Sequence, residues 1–302
     1  MENKISILSR IKEIYNNGGN IIDFLKKISN QDKNSIEDIL ISYDFQAGSY
    51  IKFAEENSDF LNKYTYKISE DIKNLKTEIK SILEVGVGEA TTLANLVNHL
   101  NFSDLKVYGL DISWSRILFG NRYLKDKNIN NAKLFTADLF NIPLANNSID
   151  IVYTSHSLEP NGGREEEALK ELYRVTNKYL ILLEPAYEFA DNDSRLRMKE
   201  HGYVKNLVNI ALNLGYKVNE NRLFEFFSNK NNPTQIIVIE KNKNANSLIE
   251  SNFNCPISKT KLSQQIDCFY SENGLLAYPI IRNIPCLLPS NAIVATHFHD
   301  FD

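Results

Sequence analysis

Apolar residues recur at helical spacing through the first 79 residues. Ile5, Leu8, Ile11 and Ile14 share one face, and Ile21, Ile22, Phe24, Leu25 and Ile28 form a second set after the helix-breaking pair Gly18-Gly19. A third helical pattern runs from Leu40 through Phe60 to Leu75. From Lys80 the period changes. The runs SILEV (81–85), LKVYGLD (105–111), AKLFTA (132–137), IDIVYT (149–154) and YLILLE (179–184) read as strands, with helices between them near 90–100, 113–127 and 164–177. This alternation predicts an α/β fold with a parallel sheet and right-handed crossovers. A helix near 201–214, with His201 at its start, then leads into YKVNENRLFEFF (216–227) and TQIIVIEK (234–241). The turn-rich SNKNNP between those two segments predicts an antiparallel hairpin that closes the sheet edge. The polar stretch 242–252 reads as a linker. The expected organisation is therefore an N-terminal helical cap region (1–79), an α/β domain (80–241) and a small β-rich module (253–290).

Composition narrows the function classes. The 302 residues carry 34 Lys+Arg against 38 Asp+Glu, net −4, without the basic footprint that binding to nucleic-acid phosphates requires, so a nucleic-acid partner is not expected. Three cysteines, Cys255, Cys268 and Cys286, are too few for a disulfide framework, and the start MENKISILSRIKEIYNN lacks an apolar leader. With no apolar run of membrane-spanning length, a cytoplasmic chain with no membrane association is expected.

The sharpest chemical signal is ILEVGVGEATTL (82–93), a strand ending in Glu84, then a tight turn with Gly86 and Gly88, then a helix. Glycine allows the backbone to turn sharply and to lie against a ligand. The dinucleotide fingerprint would need a third glycine at Thr91, and the acid at position 84 would repel a pyrophosphate. A cofactor with cationic groups is favoured instead. Asp111 ends the next strand about 20 residues beyond the glycines, where an acid accepts from ribose hydroxyls. Asp138 ends the following one, within reach of an adenine amino group. All three acids thus fall on one edge of the sheet, where doubly wound folds bind ligands. One such acid alone would more simply cap a helix.

EVGVGEATTL, GLDIS, ADLFNIPLANNSIDIVYTSHSLE and RVTNKYLILLEP resemble the successive motifs of class I methyltransferases that use S-adenosylmethionine (SAM), nearest to the small-molecule branch, over about residues 80–241. Ala90 stands at the family's third glycine position. The resemblance implies a Rossmann-like sheet, SAM as cofactor, the glycine turn on its methionine part, Asp111 on the ribose and Asp138 near adenine. Ile112, Leu139 and Ser155, which adjoin these positions, are expected in the same site. In ISYDFQAGSYIKF (41–53), Tyr43, Gln46, Ser49 and Tyr50 are spaced to share a helical face. The segment resembles the family's N-terminal cap, which would bring Tyr50 or Gln46 to the sulfonium or the carboxylate. The alternative is a helix packing aromatics into the core.

Methyl transfer from a sulfonium is an in-line displacement that depends heavily on orientation. A hydroxyl acceptor adds the need for a base. His156, in TSHSLEPNGG after the fourth strand, is the candidate, with Glu159 three residues on. The expected acceptor is a small polar molecule, a sugar or related metabolite, methylated at oxygen. The other readings are a tRNA or rRNA methyltransferase, which the acidic balance opposes, and a non-catalytic SAM-fold assembly protein, which the intact acids and glycines oppose.

The C-terminal CPISKTKL, Cys268 and GLLAYPIIRNIPCLLP resemble the zinc-ribbon methyltransferase-activator family, with Ser258 in place of the second knuckle cysteine. A structural zinc site needs four N/S ligands at compatible spacing. Cys255, Cys268 and Cys286 do not supply one, so no metal is expected. The module is expected to pack on the methyltransferase or to recruit a partner, a second copy of the chain included.

Overall fold

The structure is a computed structural model that describes residues 4–29, 35–241 and 253–300. The 242–252 linker expected from sequence lies outside the described residues. The N-terminal region forms α1 (Leu8–Asn16), α2 (Ile21–Ser29), α3 (Ile36–Phe45), α4 (Ser49–Glu56) and α5 (Ser58–Asn74). The Gly18-Gly19 break falls between α1 and α2 as expected. The single pattern from Leu40 to Leu75 is divided into three helices, with Gly48 in the left-handed conformation before α4.

The sheet region follows as β1 (Ser81–Val85), α6 (Thr91–Leu100), β2 (Lys106–Asp111), α7 (Trp114–Asp126), β3 (Ala132–Thr136), β4 (Ile149–Ser155), α8 (Glu165–Val175), β5 (Thr176–Pro185), α9 (Asn192–Glu200), α10 (Leu207–Asn213), β6 (Lys217–Leu223) and β7 (Thr234–Glu240). Strand order is β3-β2-β1-β4-β5-β7-β6. β1 to β5 run parallel, and β7 pairs antiparallel with both β5 and β6. The inner strands are buried end to end, which is why they read as apolar runs rather than alternating ones. One core on the first face of the sheet joins Leu83, Val152 and Leu180 to α8, while the opposite core joins Ile82, Ile151 and Ile181 to α5, α6 and α7.

Two expectations are corrected here. α9 is absent from the sequence reading because it is almost wholly polar and buries only Ser194 and Met198, so it carries no amphipathic stripe. It begins on Asp191, whose side chain accepts from Ser194 N at 2.8 Å. His201 consequently closes α9 instead of opening a helix, and the next helix starts only at Leu207.

The C-terminal segment forms β8 (Ser263–Gln264), β9 (Cys268–Ser271), β10 (Leu276–Ile281), β11 (Ile284–Pro285) and β12 (Ile293–Val294), paired antiparallel. It lies against β3, the edge strand of the large sheet. Cys286 forms a parallel bridge with Thr136, Leu287 N–H donates to Thr136 O at 2.9 Å, and Asn254 N–H donates to Pro143 O at 3.0 Å. Phe253 sits edge-on between Phe135 (4.8 Å) and Phe269 (5.1 Å). A bare sheet edge is a template for aggregation, and here the chain covers its own. Among the described residues no helix is long and apolar enough to cross a membrane.

Candidate active site

The strand order reverses between β1 and β4, and ligands of open α/β sheets bind at the carboxyl ends of the strands beside such a point. A cavity of about 350 Å³ lies there, within the size range of ligand pockets. Its floor is the glycine turn. Gly86 adopts φ +75°, and a Cβ on it would fall 2.1 Å from Ser157 Cβ; Gly88 adopts φ +53°, and its Cβ would press on the Tyr50 ring at 3.1 Å. Position 86 therefore requires glycine, and position 88 favours it. Ala90 shares the left-handed conformation at φ 57°, which costs an alanine more than it would a glycine.

Asp111, at the end of β2, accepts from Gly88 N–H and from Ser113 N–H, both at 2.9 Å. It lines the cavity with Ile112, and burial raises its pKa. Asp138 lies two residues past β3, accepts from Phe140 N–H at 3.0 Å, and is also raised by burial. Leu139, Ser155 and Tyr50 line the same space. Two of the expected cofactor residues do not reach it. Glu84 lies beneath the turn, where its carboxylate accepts from Tyr153 OH at 2.7 Å and burial pushes its pKa up to about 8. Gln46 caps α3 and folds back on Ser42 Oγ at 2.8 Å.

His156 also stands on the cavity wall. Its backbone takes φ 56°, a left-handed conformation that is costly for a non-glycine residue and concentrates at functional sites. Its Nδ1 lies 2.7 Å from Glu159 Oε2 and its Nε2 lies 2.8 Å from Thr234 Oγ1. Glu159, which does not itself line the cavity, also accepts from Asn232 Nδ2 at 3.0 Å. Burial alone would raise the Glu159 pKa, but the bonds from His156 and its neighbours outweigh it and lower the value. The ionised carboxylate can only accept, so Nδ1 carries a proton. Burial likewise disfavours the imidazolium, yet Glu159, with Glu184 behind it, holds the His156 pKa above its ordinary value. Glu184 accepts from the N–H groups of Ser157, Leu158 and Glu159 and rises, by burial, to about 7.

No sequence signal marks the pair that fastens the cap. Glu89, fully buried beside the glycine turn, accepts from Gly48 N–H and Ile51 N–H at 2.8 Å each and from Arg116 Nη1 at 3.2 Å. Arg116, 1% exposed, donates from Nε to Tyr43 O and lies 4.0 Å over the Tyr50 ring. Its Nη2 has no partner among the described residues, although Arg116 lines the cavity. From the cap side, Asp44 accepts from Ser113 Oγ at 2.6 Å and Ser115 N–H at 3.0 Å. No spacing rule connects these residues, because they meet across separate elements.

Above the strand ends, α3 contributes Ile36, Ile39 and Tyr43, α4 Tyr50 and Phe53, and α5 Phe60, Leu61 and Tyr64; the β6–β7 loop adds Phe227, Ser228, Asn229 and Asn232. Tyr64 OH is engaged with Ser155 Oγ at 2.9 Å. In the C-terminal segment Cys255, Cys268 and Cys286 are free and buried, and Ser258 N–H donates to Cys255 Sγ at 3.2 Å. Among the described residues no three His, Cys, Asp or Glu side chains converge as metal ligands.

Fold and cavity together define an α/β protein with a cofactor-type cleft at its switch point. Residues 82–178 match the methyltransferase domain family, so the chain carries a methyltransferase domain. Solved structures share the fold at low identity. A chain of the complex between a Haloferax volcanii methyltransferase activator and a methyltransferase is 11% identical, covering 66% of this chain and 98% of that one, with a TM-score of 0.50. A SAM-dependent methyltransferase from Aquifex aeolicus is 20% identical (58% and 89% covered, TM-score 0.44). A Galdieria sulphuraria protein described as a sarcosine dimethylglycine methyltransferase is 13% identical (62% and 87% covered, TM-score 0.48). No curated protein matches the chain.

Proposed function

We propose that this protein transfers a methyl group from SAM to a hydroxyl of a small acceptor. The observation that carries the reading is the cavity at the ends of β1 to β4, with the glycine turn, Asp111 and Asp138 on its wall, inside a methyltransferase domain. The residues present suit the cofactor. Asp111 is an acceptor for ribose hydroxyls, and Asp138 one for an adenine amino group. The unpartnered Nη2 of Arg116, beside Gly88, suits a carboxylate. Tyr50 offers a ring face to a cation. When bound, SAM supplies an electrophilic methyl on a leaving group already activated.

The chain's own work is then to orient the acceptor and remove its proton. With Nδ1–H held by Glu159, the free pair of His156 Nε2 accepts from Thr234 Oγ1, and Thr234 lines the cavity. A hydroxyl beside Thr234 can pass its proton through Oγ1 to Nε2, which makes His156 the base and Glu159 the group that fixes its tautomer. The C-terminal segment serves this enzyme as a built-in cover for the β3 edge, in keeping with its resemblance to methyltransferase activators.

Calorimetric titration with SAM and with S-adenosylhomocysteine (SAH) tests the reading. Wild type is expected to bind both, and Asp111→Ala to lose roughly ten- to a hundredfold in affinity through the charge-assisted bonds removed. Absence of binding by the wild type would sink the proposal.

A further inference from the structure

The lining of the cavity differs in chemistry with the element that supplies it. Its charged lining residues, Asp111, Arg116 and Asp138, with the titratable His156, all belong to the strand ends or to α7. None of the described cavity residues on α3, α4, α5 or the β6–β7 loop is an acid or a base. Those elements present aromatic rings instead: Phe53, Phe60, Tyr64 and Phe227, with Tyr43 and Tyr50 beside Arg116. Beside these rings stands a polar group: His156 bonds to Thr234 at 2.8 Å, and Asn232 of the β6–β7 loop donates to Glu159, the other partner of His156. Resting on the proposed methyl transfer, we infer that the acceptor is a neutral phenol, an aromatic body carrying the hydroxyl that is methylated.

Three physical reasons converge on that class. Among the described cavity residues the one permanent cation is Arg116, over the Tyr43 and Tyr50 rings, and the cofactor's carboxylate takes it up, so a phosphorylated or carboxylated acceptor would bury a further anion without a free partner, a costly arrangement. A sugar would bring hydroxyls around its whole rim, and those facing the rings of Phe53, Phe60 and Phe227 would lose their water without gaining a partner. A flat apolar body meets the opposite situation: aromatic walls supply large area and favourable ring-edge contacts. Tyr50, Phe53 and Ile36 are also 44%, 43% and 38% exposed, so an entering apolar ligand would cover surface that is otherwise wetted.

The base agrees with this choice. A phenol, with a pKa of about 10, lies far closer to an imidazole than a sugar hydroxyl does, so proton transfer in the transition state is less uphill. The acceptor's O–H bond breaks and its proton passes by way of Thr234 Oγ1 to His156 Nε2. The oxygen pair forms the new O–CH3 bond, and the S–CH3 bonding pair remains on sulfur, which leaves as a neutral thioether.

Titration of the SAH-loaded protein with three probes (naphthol, naphthyl phosphate and methyl glucoside) tests the inference. Naphthol is expected to bind about tenfold or more tightly than either other probe. Phe227→Ala is expected to weaken naphthol by about tenfold while leaving SAH affinity unchanged. Phe53→Ala, on the half-exposed rim, is a second variant with little risk to folding and the same expected direction. Equal or tighter binding of methyl glucoside or naphthyl phosphate would overturn the inference. So would naphthol failing to bind the SAH-loaded protein, or binding indifferent to both variants. Failure of SAH itself to bind is a distinct result, which removes the methyltransferase reading and the phenol with it.

Discussion

At the scale of single residues, burial decides what each ionisable group can do. Glu84 stands in the sequence as an acid aimed at a cofactor, but the fold turns it under the glycine turn, against Tyr153 OH. Its pKa of about 8 then has a consequence for stability. Between about pH 4.5 and 8 the folded chain keeps a proton that the unfolded chain has released, so stability falls as pH rises, by up to ~1.4 kcal/mol per unit. Glu84→Gln, which cannot ionise, is expected to flatten that slope in denaturant titrations across this range. An unchanged slope would place the carboxylate in a more polar setting. Asp111 was legible from its spacing beyond the glycines, because the β1–α6–β2 unit returns the end of β2 beside the turn, where Asp111 accepts from Gly88 N–H. His156 and Glu159 were legible as neighbours three residues apart, but Thr234, the partner of Nε2, comes from β7 and carries no signal in the intervening chain.

Between elements, the cap is held on the sheet by two acids reaching in opposite directions. Glu89 reaches from the glycine turn to the start of α4, and Asp44 reaches from α3 to the start of α7. Breaking a buried ion pair by removing one member leaves an uncompensated charge, at about 3–5 kcal/mol. Glu89→Ala would strand Arg116 and the N–H groups of Gly48 and Ile51 together. We expect that loss in chemical denaturation, with faster hydrogen exchange concentrated in α3 and α4; exchange spread evenly over the sheet would contradict the latch. Helical periodicity marked α1, α2 and α5, which bury apolar positions, but merged α3, α4 and α5 into one pattern, because α4 buries only Ala54 and the break at Gly48 interrupts no apolar stripe. It could not say that polar groups would fasten them, since hydrogen-bond partners far apart in the chain leave no period behind.

On the scale of the molecule, the C-terminal segment shares the core of the sheet. Ile284 joins the cluster with α6 and α7, while Leu287 joins the one containing Phe135 and Leu144 on the other face, so the segment straddles the β3 edge. Thermal unfolding is therefore expected as a single transition. Leu287→Ala, at a fully buried position, should lower the stability of the whole chain by about 2–5 kcal/mol. Two transitions, with only the smaller one moved by the variant, would show the segment folding apart.

The sequence by itself determined the sheet, since inner strands buried on both faces must be continuous apolar runs and crossovers must bring their ends to one edge. It also determined the glycine turn and put Asp111 at the end of β2 and Asp138 just past the end of β3, since strand–helix–strand spacing fixes which residues reach that edge. Tertiary structure alone decided the rest. Glu84 turned inward, Glu89 met Arg116, Thr234 met His156, and the cap closed a ring-lined chamber over the strand ends. These are contacts between segments distant along the chain, and they arise from packing, which hydrophobic period and local spacing do not encode.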